Sequence, residues 1–152
     1  MWKKLRKPLL SILAIHATAL IVGQIVASRW SKGDERSDEF KIAAICGGKK
    51  FQSRAEHLRS GAVVASMCGI DLDLRDATLD PAGATIDLNA SMGGVQITVP
   101  EAWAVDIDKS ALAGGVEAKV TAREDLPDDA PSLHIRAVVR MGGALVTTGV
   151  DN

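Results

Sequence analysis

Ala65-Ser66-Met67-Cys68-Gly69-Ile70-Asp71-Leu72-Asp73-Leu74-Arg75-Asp76-Ala77 is answered one period later by Ala90-Ser91-Met92-Gly93-Gly94-Val95-Gln96-Ile97-Thr98-Val99-Pro100-Glu101-Ala102. Each phrase has an apolar residue, two small residues, then alternating apolar and polar residues. Weaker copies begin at Cys46-Gly47-Gly48, Ala113-Gly114-Gly115 and Met141-Gly142-Gly143. The second small residue falls at Gly48, Gly69, Gly94, Gly115 and Gly143, in steps of 21, 25, 21 and 28 residues. A period in the twenties marks stacked supersecondary units, none of which can bury its apolar face alone.

Strict alternation follows each glycine pair, with Ile70, Leu72 and Leu74, then Val95, Ile97 and Val99, then Val116, Ala118 and Val120. A period of two places each set on one face of a strand, and the aliphatic, β-branched composition suits a pleated, half-buried surface. Before the pair, Ile86, Leu88, Ala90 and Met92 point one way and Asp87, Asn89 and Ser91 the other. The glycine pairs read as sharp corners between strands. Pro100 lacks a donor and ends its strand. The segments 80–83 and 126–131 read as turns or loops.

Strand, corner, strand and turn, repeated, predict an all-β domain, a β-helix or solenoid of about five coils; a β-sandwich is the alternative. Equivalent positions then stack, with Cys46, Met67, Met92, Ala113 and Met141 in one inward column. A second column holds Lys49, Ile70, Val95, Val116 and Ala144, and Lys49 marks an end coil partly open to solvent. Aromatics make up only 3% of the chain, in keeping with a narrow core of stacked small aliphatics. Cys46 and Cys68 are offset by one position on different coils, so both are expected as free thiols.

The chain opens with Lys3, Lys4, Arg6 and Lys7, followed by an uncharged stretch over residues 9 to 28 and then Arg29. Twenty residues at about 1.5 Å each span about 30 Å, the thickness of a bilayer's hydrocarbon core. Trp2 and Trp30 bracket the stretch as interfacial residues do. At about 100° per residue Ser11 and Thr18 lie together and His16 nearly opposite, so no single polar stripe favours a helix lying in the surface. A membrane anchor over residues 1–30 is predicted; the rival is a cleaved signal peptide, with Ala17-Thr18-Ala19 as its site. The basic N-terminal flank predicts the N-terminus inside and the β domain outside the cytoplasm. Ala19, Gly23 and Ala27 form a smooth ridge for helix packing, with His16 near mid-membrane. Residues 31–39 read as a charged, solvated tether, and residues 40–152 as the β-repeat domain.

The 152 residues carry a formal net charge of −1, which gives no electrostatic case for nucleic acid as a partner. Nothing in the cysteine or histidine spacing reads as a metal site, and no motif calls for a cofactor.

The phrases Gly69-Ile70-Asp71-Leu72-Asp73-Leu74-Arg75-Asp76-Ala77 and Gly94-Val95-Gln96-Ile97-Thr98-Val99-Pro100-Glu101-Ala102-Trp103-Ala104-Val105, with the Met-Gly-Gly repeats, resemble the C-terminal domain of LiaF-type proteins. These are also called cell-wall-active antibiotic response proteins. The resemblance runs from residue 42 to about 148 and is carried by Asp71, Asp73, Arg75, Asp76, Pro100 and Trp103. It implies a β-rich repeat fold and, in bacteria, restraint of an envelope-stress-sensing membrane histidine kinase by protein contact without catalysis. The chain has one apolar span where the well-known members have several, and Cys68 where the pattern has glycine.

Three functions follow. The first is a membrane-anchored, non-catalytic module that contacts another envelope or membrane protein. The second is a self-assembling scaffold whose last coil, ending at Asn152, exposes a ladder edge that can form homo-oligomers. The third and most remote is a carbohydrate-active β-helix enzyme using Asp71, Asp73 and Asp76 as acid and base. Arg75, an adjacent counter-charge, and the lack of a partner for His57 or His134 weigh against it.

Overall fold

Five long strands, β1 (Glu39–Gln52), β2 (Ser60–Asp73), β3 (Ala84–Pro100), β4 (Ala104–Lys119) and β5 (Ser132–Gly149), form one sheet in the order β1-β2-β3-β5-β4. All the pairings between them are parallel, so the antiparallel hairpins of a β-sandwich are not present. The computed structural model describes residues 29–149, together with Val22, Ile25 and Val26. Most of the apolar stretch 9–28, including His16, Ala19, Gly23 and Ala27, lies outside the described residues. Among the described residues no helix is long and apolar enough to cross a membrane.

Each repeat is one strand running through its glycine pair. A straight strand of 17 residues would be about 56 Å long at about 3.3 Å per residue. Only residues 101–103 join β3 to β4, and three residues reach roughly 10 Å. Parallel strands two places apart in the sheet can be linked so briefly only if each strand bends back toward its own start. The bends are written in the backbone. Cys46, Met67 and Met92 have φ of 59°, 54° and 56°, and Gly47, Gly114 and Gly142 have φ of 106°, 129° and 126°.

This corrects two expectations. The left-handed angles fall at or before the first small residue, and none of Gly48, Gly69, Gly94, Gly115 and Gly143 has a φ in the left-handed range. The methionine column also faces outward: Met67, Met92 and Met141 are 58%, 54% and 52% exposed. The inward phase runs Val63, Ala65 and then Cys68, Ile70, Leu72, so two successive residues face out at the bend and the alternation slips by one.

On both sides of the bend the inward positions stack in register. Ile42, Val63, Leu88, Ala137 and Lys109 form one column before it, and Phe51, Leu72, Ile97, Val146 and Ala118 one after it. Apart from the exposed Lys109 and Ala118 of β4, these residues share a single core with Leu58, Leu79 and Trp103 from the connecting segments, so the sides of the repeats from β1 to β3 and β5 close on one dry interior. The first-named turn is present: Gly83, at φ 87°, donates its N–H to the Asp80 carbonyl at 2.7 Å, and Asp80 Oδ1 accepts from Ala82 N at 3.0 Å.

The two ends of the stack differ. At β1, Phe40 and Phe51 pack with ring centroids 5.3 Å apart, and Phe40 occupies the space that a side chain at Gly61 would need. The segment expected as a solvated tether folds onto this edge instead. Lys32 N donates to Lys41 O at 2.8 Å and Lys41 N to Lys32 O at 2.7 Å, while Ala43 N donates to Ser31 Oγ at 3.2 Å. Lys49 Nζ donates to the same hydroxyl at 3.1 Å, and Lys41 lies over the Trp30 ring at 4.9 Å. At the other end the outermost strand is β4, not the last strand β5, because β5 inserts between β3 and β4.

Candidate interaction surface

Two of the motif carboxylates, Asp73 and Asp76, are engaged in local ion pairs. Arg75 grips Asp73 with Nε at 3.0 Å from Oδ1 and Nη2 at 2.7 Å from Oδ2. Asp76 Oδ2 accepts from Gln52 Nε2 at 2.5 Å and lies 3.8 Å from Arg54 Nε. Asp71 faces outward from β2 between Lys50 and Gln96. The Arg75 hydrogen bonds hold the Asp73 carboxyl below the usual range, so it stays ionised and cannot retain a proton for acid catalysis at neutral pH. Trp103 is buried beside the end of β3, where Pro100 closes that strand. Asp73, Arg75 and Asp76 lie at and just past the end of β2, and Pro100 and Trp103 at and just past the end of β3, while Asp71 faces outward from β2.

Because its folded pKa is depressed, Asp73 stabilises the fold above its unfolded pKa, and that contribution is lost as pH falls through the folded pKa. Asp34 and Asp80 are shifted the same way, the first chiefly by Ser37 and the second chiefly by the Ala82 N–H. Asp73→Asn should lower the unfolding midpoint at pH 7, and the gap to wild type should close below about pH 4. Denaturant unfolding at a series of pH values measures this; a gap that persists in acid would show that the ion pair is not its source.

The outer face offers a different feature. A groove of about 890 Å³ crosses all five strands just past the bends, floored by Gly48, Gly69, Gly94, Gly143 and Gly115. Its wall alternates in character along the stack: Lys50, Asp71, Gln96, Leu145 and Glu117. A side chain added at Gly69 or Gly115 would meet nothing within 4 Å, and at Gly48, Gly94 or Gly143 only ordinary contact at 3.8 to 3.9 Å. These glycines therefore leave a trough that the chain's own packing does not require. The exposed Met67, Met92 and Met141 lie two residues before the trough glycines Gly69, Gly94 and Gly143 on their strands and flank it.

On the half of the outer face before the bends a charged ladder spans β3, β5 and β4. Arg136 holds Asp87 at 2.6 and 2.8 Å, and His134 Nε2 lies 3.1 Å from Asp108 Oδ2. His57 belongs to a connecting segment and His134 to β5, so the two histidines are on different parts of the fold. Among the described residues no group of three or more His, Cys, Asp or Glu is placed to hold a metal ion. Cys46 and Cys68 are not joined in a disulfide. Cys68 is buried, its Sγ donates to Ala44 O at 3.1 Å, and burial pushes its thiol pKa up.

The groove and its flanking methionines were missed from sequence because the phase slip was not located. The shape that results is an all-β, repeat-built chain with a single parallel sheet and a cross-strand outer groove. No protein-family profile, curated protein or solved structure matches the chain.

Proposed function

We propose that the chain is a β-solenoid interaction module of the bacterial cell envelope, anchored by its N-terminal apolar segment and acting by protein contact without catalysis. The single observation that carries this reading is the groove crossing all five strands. Its length follows the stack rather than any one strand, which suits an extended partner surface more than a small substrate. The brief links between bent parallel strands support the solenoid description. The LiaF-like phrases favour a partner among stress-sensing membrane proteins, and the basic N-terminal flank favours an extracytoplasmic domain. A self-assembling scaffold is the second reading, favoured by the open edge of β4.

Filling the trough tests the first reading. Gly69→Val and Gly94→Val should leave thermal unfolding unchanged or slightly raised, because the added atoms enter open space and valine suits a strand. A photo-crosslinking side chain at Gln96 in the full-length protein should capture one membrane protein, and the two valine substitutions should abolish that capture. Capture that survives the filled trough would overturn this use of the groove. A C-terminal reporter fusion that is active in the cytoplasm would overturn the topology.

A further inference from the structure

We propose that the chain pairs with a second copy of itself through the free edge of β4, strand antiparallel to strand, with Asp108 opposite the partner's Lys119. Neither the envelope reading nor the groove enters this proposal.

The two edges of the sheet are chemically unequal. At the β1 edge Lys32 exchanges two backbone hydrogen bonds with Lys41, and the Ser31 hydroxyl accepts from Ala43 N, so the arm before the bend is partly occupied. Among the described residues β4 pairs with β5 alone, so its other edge presents unpaired donors and acceptors along 16 residues. Such an edge is a template for another strand. The core is also unfinished there. Ile107 continues the column of Ile86 and Ile135, both fully buried, yet is itself only half-buried. Val105, Ile107, Val116 and Val120 line an apolar cup of about 280 Å³ at that end.

The occupant follows from symmetry. Stacking β4 of one copy on β1 of the next would repeat into a filament, but the Lys32–Lys41 bridge stands in the way of that contact on the first arm of β1. A two-fold axis through the bend of β4 brings two identical edges together and closes the assembly at two chains. The axis exchanges the two arms of the bent strand, so each arm meets the other arm of its partner, running antiparallel. With the bends at Ala113 and Gly114 aligned, Ile107 falls opposite the partner's Val120 and Ala111 opposite the partner's Val116. In the same register Asp108 falls opposite the partner's Lys119, and the symmetry makes that ion pair twice. Inward residues meet inward residues; a shift by one residue would put the aliphatics on the solvent face.

Lys109 tempers the contact. It is the one charge among the inward positions of β4, in line with Leu88 and Ala137, and an inward charge on an edge strand weakens pairing. The wild-type pair is therefore a reversible one.

Sedimentation of the full-length protein in detergent over a range of concentrations tests the register. The wild type should show a monomer–dimer equilibrium with nothing larger. Asp108→Lys and Lys119→Asp, each of which sets like charges opposite one another twice, should each weaken pairing at least ~10-fold. The double reversal should restore it, and Lys109→Leu should tighten it at least ~10-fold. All three positions lie on the exposed edge strand, so thermal unfolding of the monomer should change by no more than a few degrees. A wild type that stays monomeric throughout overturns the proposal. So does a double reversal as weak as the single ones, a Lys109→Leu chain no tighter than wild type, or growth beyond the dimer.

Discussion

Gly142→Ala should unfold the domain or leave it severely destabilised, while Gly143→Ala, one residue on, should be neutral or mildly stabilising. Gly142 has φ of 126°, a region closed to a residue with a Cβ, and the added carbon would collide with the Gly93 carbonyl. That carbonyl belongs to the adjacent strand β3, in register with Gly142, so relief requires two central strands to part. Strain and lost pairing together should cost at least about 3 kcal/mol, a large share of a small domain's stability of roughly 5–15 kcal/mol. At Gly143 the new carbon would lie 3.8 Å from the Gly115 oxygen, an ordinary contact. There the loss of backbone freedom in the unfolded chain should contribute about 0.4–1 kcal/mol in favour of folding. Denaturant midpoints for the two variants measure the contrast; equal effects would mean that the bends are misplaced.

Ile97→Ala should cost about 2–5 kcal/mol, and Met92→Gly should cost nothing or raise stability by up to about 1–2 kcal/mol. Ile97 is fully buried in the central strand, stacked between Leu72 and Val146, so truncation leaves a cavity that the rigid strands on either side cannot close. Met92 is 54% exposed and sits at φ 56°. Its side chain contributes little burial, and glycine removes the left-handed penalty. Chemical unfolding of both variants decides the matter. A loss at Met92 comparable to that at Ile97 would return the methionines to the core.

The error about the methionines has a physical source. Inward residues are even-numbered before the bend of β3, at Ile86, Leu88 and Ala90, and odd-numbered after it, at Val95, Ile97 and Val99. A phase slip must therefore fall between 90 and 95, and alternation alone does not say on which side of Met92. Only the backbone angles put it before the methionine. The glycine positions were found, but their role was inverted. Gly93, Gly114 and Gly142 are the ones whose added carbon would strike a neighbouring backbone, whereas Gly48, Gly69, Gly94, Gly115 and Gly143 floor an open trough. Cys68 stands in the column of Gly93 and Gly142 without conflict, because the bend of β1 has left-handed φ at both Cys46 and Gly47 and the thiol reaches the Ala44 carbonyl.

Local pattern by itself determined that the chain is built of strands, that one of them ends at Pro100, and which glycines align; the register pairs Gly48 with Gly69, Gly69 with Gly94, Gly94 with Gly143 and Gly143 with Gly115. Period and alternation are properties of neighbours along the chain, and they survive any reordering of the repeats. The order of the strands was decided by tertiary structure alone. Leu133, Ile135, Ala137 and Val139 give β5 an inward face without charge, fit for burial between two neighbours. β4 carries Lys109 at an inward position, and an ammonium group enclosed in an apolar interior is costly unless it is paired. The strand with the charge therefore lies at the edge, where its side chain reaches water, and the last strand of the sequence lies inside.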